Sequence, residues 1–266
     1  MNRIDKRFKA LKKKGQKAFI AYITAGDPNL GATARLVRAL EGAGVDIIEL
    51  GIPFSDPLAD GPTIQAASAR ALRNKTNLSK IFKMVKALRT KTDIPLAFMT
   101  YFNPVFSYGL SRFANDCAVN GVDGVIIPDL PHEEAAEFIK LGRARKVATI
   151  FLAAPTSTRN RIKDIIRDSA GFIYYVSLTG VTGARRDLPP GLAEKIKLLK
   201  SMARKPVCVG FGVSTPLQAG QIAAFADGVI VGSAIVKIIE KNLGKADMIS
   251  KVSRFASSLA KAIHND

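Results

Sequence analysis

Two cysteines, two histidines and a shortage of acidic residues mark this chain, and each scarcity removes a class of chemistry. Cys117 and Cys208 are too few and too far apart for a zinc motif. Cys208, within Val207-Cys208-Val209, reads as a small core hydrophobe in a reduced setting. His264 lies in a polar tail and is expected in solvent, whereas His132 opens a helix after a strand and could face a site. Histidines so placed leave no metal cluster and no Ser-His dyad to build, so no metal is expected. No segment approaches the roughly 20 apolar residues of a membrane span. The apolar run 18–23 behind the basic residues 12–17 leads into a turn without a small-residue cleavage site, so it reads as a first strand and not as a signal peptide. Linkers and low-complexity stretches are missing too. A single domain over residues 1–266, cytoplasmic, is the expectation.

Acids are outnumbered, with 22 Asp and Glu against 40 Lys and Arg, a net charge of +18. The excess is spread over helices, as in Lys12-Lys13-Lys14 and in Lys80, Lys83, Lys86 and Arg89, with no nucleic-acid-binding motif beside it. It reads as solvated surface, with no specific nucleic acid as partner. A basic nucleic-acid-binding barrel stands as the non-enzyme alternative.

What is present is an alternation. Ile4, Phe8 and Leu11 recur at helical spacing ahead of the first strand. Apolar strands are predicted at 18–24, 45–50, 94–101, 122–127, 147–153, 172–177, 206–210 and 228–231. Helical stretches follow near 30–43, 62–89, 110–119, from His132, from Thr158 and near 191–203, with two more after the last strand. Near-continuous apolar strands suit parallel strands covered by helices. The pattern predicts an α/β fold, a single TIM (β/α)8 barrel with an extra N-terminal helix and extra helices after strands 2 and 8. A doubly wound sheet would want a Gly-x-Gly-x-x-Gly turn after strand one, which is missing.

In such a barrel the site lies at the C-terminal strand ends. Strand two ends in Ile48-Glu49-Leu50 and runs into a loop carrying Pro53, Asp56, Pro57, Asp60, Gly61 and Pro62. Taken alone, Glu49 is either a buried carboxylate with a task or a strand end reaching water, and Asp60 either an acid for chemistry or a turn and capping residue. Later strands end in Gly183, in Gly210-Phe211-Gly212 and in Gly232-Ser233, where backbone N–H groups and a helix start suit a phosphate. No lysine falls in a predicted strand, which leaves a Schiff-base aldolase without a nucleophile. A carboxylate beside a phosphate site suggests proton transfer on a small phosphorylated substrate.

The stretch ELGIPFSDPLADGPTIQ, residues 49–65, closely resembles the signature of the tryptophan synthase α chain family. Thr24-Ala25-Gly26-Asp27-Pro28, Tyr101-Phe102-Asn103-Pro104, Pro128-Asp129-Leu130-Pro131, Gly180-Val181-Thr182-Gly183 and Gly232-Ser233-Ala234 extend the resemblance, in order, over essentially the whole chain. The resemblance implies cleavage of indole-3-glycerol phosphate to indole and glyceraldehyde 3-phosphate, in tryptophan biosynthesis. It implies catalytic roles for Glu49 and Asp60, and an indole pocket of Tyr22, Ile64, Met99, Tyr101, Tyr174 and Phe211. Thr182, Gly183, Gly212, Gly232 and Ser233 are implied on the substrate's phosphate side. It also implies a β-chain partner in an α2β2 assembly, faced by Pro53, Asp56, Asn103, Phe106, Asp129 and Pro131. No cofactor is implied in this chain; pyridoxal phosphate is implied in the partner. Tyr22, Met99 and Leu178 depart from the phenylalanine, leucine and arginine found in other members. A stand-alone indole-glycerol phosphate lyase without a β chain is the enzyme alternative.

Overall fold

The structure is a computed structural model that describes residues 1–176, 188–210 and 212–265. Its strands are β1 (Ala18–Thr24), β2 (Ile47–Gly51), β3 (Leu96–Met99), β4 (Gly124–Ile126), β5 (Ala148–Ile150), β6 (Leu152–Ala153), β7 (Ile173–Val176), β8 (Val207–Gly210) and β9 (Gly228–Val231). All neighbours pair in parallel, in the order β5-β4-β3-β2-β1-β9-β8-β7-β6. The two ends of that order are halves of one chain segment, separated only by Phe151. The ring therefore closes through the chain itself, and the expected strand 147–153 is present as two short pieces. This is the eight-stranded TIM barrel.

The helices are α1 (Arg3–Lys14), α2 (Leu30–Gly42), α3 (Pro62–Arg73), α4 (Leu78–Leu88), α5 (Phe102–Tyr108), α6 (Leu110–Asn120), α7 (Ala136–Arg145), α8 (Arg159–Asp168), α9 (Leu192–Met202), α10 (Pro216–Ala223), α11 (Ser233–Lys241) and α12 (Met248–His264). The stretch 62–89 is two helices, in keeping with the extra helix expected after strand 2, because Lys75 turns left-handed (φ 52°) and Asn77 caps a fresh start by accepting from the Lys80 N–H. Two features differ from the sequence expectation. Helix α5 follows β3 directly, where no helix is predicted. His132 opens a 3-10 turn, His132–Glu134, and α7 begins only at Ala136.

Alternation along the strands sends one set of side chains inward. Ala18, Ile20, Ile47, Ala97, Ile126, Ile150, Phe172, Tyr174, Cys208 and Ile230 form this interior cluster. Ile4, Phe8 and Leu11 of α1 join it, so the N-terminal helix stoppers one end of the barrel. Each isoleucine, leucine or phenylalanine among them contributes about 2 kcal/mol by burial. The opposite strand faces, with Phe19, Ile23, Ile48, Leu50 and Phe98, pack under the outer helices.

The strand starts at that end share an aspartate clamp. Asp46, Asp123 and Asp227 each accept the backbone N–H of a residue in the preceding strand's first turn of ladder: Phe19 at 2.7 Å, Leu96 at 3.0 Å and Val207 at 3.0 Å. Each also meets a base. Asp46 takes His264 Nε2 at 2.9 Å, Asp123 takes Arg89 at 2.8 Å and Arg3 at 3.2 Å, and Asp227 takes Lys200 at 2.7 Å. His264 is thus largely buried against Asp46, correcting its expected place in solvent, and it pins α12 to the foot of β2.

Candidate active site

At the other end, the inward face continues past the apolar layer into polar residues. Glu49 follows Ile47 on the same face of β2, level with Tyr22 of β1 and Ala97 of β3. It is 1% exposed, so a strand end reaching water is excluded. Neither carboxylate oxygen has a hydrogen-bond partner among the described residues. Burial with no compensating donor pushes its carboxyl up to about 8. An uncompensated buried polar group costs folding free energy, and a group retained in that state is a candidate for chemistry.

Room around Glu49 comes from absent side chains. A Cβ on Gly51 would overlap the Tyr22 hydroxyl, and one on Gly210 would come within 2.6 Å of the Tyr174 hydroxyl. These glycines let two tyrosines lie across the barrel mouth, with the Tyr22 hydroxyl 3.4 Å from Thr24 Oγ1. Burial raises the pKa of both phenols, and the charges of Asp60 and Glu49 raise them further. All four groups thus share one electrostatic neighbourhood. Tyr22, Ile64, Ala67 and Val236 form an apolar cluster with Met99 against it, joining β1, α3 and α11 over the mouth.

Asp60 ends the loop that follows β2. The Asp60 N–H donates to Pro57 O (3.0 Å), and Gln65 Nε2 donates to Asp60 O (2.9 Å). Gly61, not Asp60, is the N-cap of α3, and it makes no side-chain capping bond. The Asp60 carboxyl is therefore free of a capping role. Partial burial pushes it up to about 6, with the neighbouring Tyr101 hydroxyl pulling it back down. Tyr101 braces the loop, its hydroxyl accepting the Ala59 N–H at 3.0 Å and its ring lying 5.4 Å from that of Phe54. Two carboxyls with separated proton affinities, near 8 and near 6, can divide acid and base work between them.

On the phosphate side, Gly232 caps α11 without any side-chain bond, and Ser233 opens the helix, exposed. A helix start left open in this way suits an anion. Gly212 holds a left-handed φ of 81°, as its glycine identity allows. Thr182, Gly183 and Phe211, like Leu178, lie outside the described residues.

Of the surface residues, Asp56, Asn103, Phe106 and Asp129 are exposed around the mouth, and Pro131 is half-buried, but Pro53 is buried. The Asp129 carboxylate accepts the Phe102 N–H at 2.8 Å, anchoring the start of α5. Sequence reasoning missed Leu58, which is 90% exposed on the Asp60 loop; Phe106, on α5 of the next βα unit, is 65% exposed. His132 does not reach the mouth. It is buried on the barrel's flank, against Glu133, Asp168 and the Phe151 ring, in a cleft between α7 and α8. Among the described residues no group of three His, Cys, Asp or Glu could hold a metal ion. No helix there is long and apolar enough to cross a membrane.

The family model described as tryptophan synthase alpha chain matches residues 8–264. A tryptophan synthase alpha chain of Geobacter sulfurreducens is 49% identical over 265 residues, covering all of both chains. One of Citrifermentans bemidjiense is 49% identical over 263 residues, 99% of this chain and 98% of its own. Among solved structures, tryptophan synthase subunit alpha from Legionella pneumophila superposes with a TM-score of 0.92 at 38% identity, over all of both chains. A Mycobacterium tuberculosis tryptophan synthase chain gives 0.91 at 36% identity, covering 99% of this chain and 98% of that one.

Proposed function

The chain belongs to the tryptophan synthase alpha chain family, and we propose that it cleaves indole-3-glycerol phosphate to indole and glyceraldehyde 3-phosphate, with Glu49 and Asp60 as its catalytic pair. The observation that carries this reading is Glu49, fully buried at the barrel mouth and unpartnered, where burial pushes its carboxyl up to about 8.

A protonated Glu49 can give its proton to the indole carbon bearing the glycerol chain, C3. The ring then carries positive charge at its nitrogen, where an ionised Asp60 accepts the N–H and opposes that charge. Glu49, now a carboxylate, takes the proton of the glycerol hydroxyl next to the ring. The C–C bond breaks, its electron pair returns to the ring, and the hydroxyl carbon becomes the aldehyde. Atoms and charge balance with no lysine and no metal, because the protonated indole is the electron sink. Tyr22, Ile64, Met99, Tyr101, Tyr174 and Phe211 hold the ring; Gly212, Gly232 and Ser233, with Thr182 and Gly183, take the phosphate.

The exposed Leu58, Phe106 and Asp56 beside the Asp60 loop would face a β chain in an α2β2 enzyme. That partner, with pyridoxal phosphate, would consume the indole in the cytoplasm. The test is indole release from purified protein and indole-3-glycerol phosphate, with and without the β chain. Wild type should release indole, faster with the partner. Glu49→Gln should lose at least 10²-fold, in the range of general acid–base catalysis, and Asp60→Asn should also lose severely. Near-wild-type turnover in either variant would overturn the mechanism, and full activity unaltered by the β chain would favour a stand-alone lyase.

A further inference from the structure

Arg70 sits near the far end of α3, about two turns from Pro62 at its start, and it holds three elements together. Its Nε and Nη2 donate to the two oxygens of Asp27, at 2.8 and 2.9 Å, and its Nη1 donates to Glu240 Oε1 at 2.8 Å. Asp27 is 1% exposed on the loop after β1, whose Gly26 N–H is in turn held by Thr33 Oγ1 at 2.9 Å. Glu240 lies on α11, the helix whose N-terminus opens at Ser233. Helix α3 meets α11 through Ile64, Ala67 and Val236, apolar contacts that carry no directional bond. The planar guanidinium fork, engaged by two carboxylates from different elements, sets a register that such a contact does not.

We infer that Arg70 is a positioning residue that couples the phosphate-holding start of α11 to the placement of Asp60 at the start of α3. It rests on the proposed function, in that a phosphate group occupies the α11 N-terminus. A helix transmits displacement nearly rigidly along its axis, and at about 1.5 Å per residue Arg70 acts about 12 Å along α3 from Pro62, two residues after Asp60. Anion binding that seats α11 would, through Glu240 and Arg70, hold α3 and its leading loop in the working position.

The test uses the full chain and inorganic phosphate as probe, read by hydrogen exchange of the 59–65 amides and by indole-3-glycerol phosphate turnover. Two variants are compared with wild type. Arg70→Lys keeps the charge and loses the fork; Glu240→Gln leaves the Arg70–Asp27 pair intact and weakens only the tie to α11. In wild type, phosphate should slow exchange at 59–65. In both variants that protection should be lost while phosphate still binds within about twofold, and kcat should fall about tenfold in Arg70→Lys and about threefold in Glu240→Gln. A merely structural role would lower the melting temperature but leave kcat per folded molecule and the phosphate-dependent protection unchanged, and that result overturns the inference. If wild type neither binds phosphate nor cleaves substrate, the proposed function fails and takes the inference with it.

Discussion

Replacing Glu49 by glutamine should stabilise the fold while destroying activity, and pH should control by how much. The folded chain holds the Glu49 proton up to about pH 8, whereas the unfolded chain releases it above 4.5. Between those values the folded state binds more protons than the unfolded one, so this residue's contribution to stability falls as pH rises, and it levels off above about 8. At 1.36 kcal/mol per pH unit, the cost is about 3 kcal/mol at pH 7 and about 5 at pH 9, and nearly nothing at pH 4. Glutamine is close in shape and carries no proton to lose, so the variant escapes that cost. Urea denaturation of both proteins at pH 4, 7 and 9, followed by far-UV circular dichroism, isolates the effect, since other titrating groups cancel in the difference. The stability gap should widen in favour of Glu49→Gln across that series. A gap that stays flat with pH, or a variant less stable than wild type at pH 9, would show that Glu49 is solvated or partnered and refute the reasoning.

The aspartate clamps should differ in worth. Asp123→Ala, which strands the nearly buried Arg89, should cost about 3 kcal/mol or more in urea denaturation, whereas Asp227→Ala, facing a Lys200 that is 31% exposed, should cost about 1 to 2. Gly51→Ala should suppress indole release with little loss of secondary structure by circular dichroism, because the new Cβ meets the Tyr22 ring and hydroxyl inside the pocket. Ser233→Asp should raise KM for indole-3-glycerol phosphate tenfold or more in steady-state assays, its carboxylate set against the phosphate at the α11 N-terminus; an unchanged KM would move the phosphate elsewhere.

The barrel was legible because its strands are short apolar runs with helices between them, and the mouth because Glu49 and Asp60 sit in a long Pro/Gly-rich signature. Helix α5 was not, since Tyr101-Phe102-Asn103-Pro104 looks like a turn. Pro104 falls in the first turn of that helix, where its missing N–H leaves no bond unmade, and Asp129, 27 residues away, supplies the acceptor for Phe102. The join of the strand 147–153 had no signal either, because its break at Phe151 reflects which neighbour each half pairs with and not its own composition. His264 misled for a similar reason: a polar tail predicts exposure, and its partner Asp46 is 218 residues away. The strand left Glu49 either buried or reaching water; its burial and its lack of partners are set by the packing of Ala97, Gly51 and two tyrosines around it.

The pH dependence of kcat/KM for indole-3-glycerol phosphate cleavage tests the central claim most directly, because that quantity reports the ionisations of the free enzyme. Glu49 must carry its proton and Asp60 must have lost its own, so activity requires a pH above about 6 and below about 8. The account predicts a bell between those limbs, with the acid limb removed in Asp60→Asn's residual activity and the alkaline limb intact. A rate that keeps rising from pH 8 to pH 10 would mean that ionised Glu49 starts the reaction, and would contradict it.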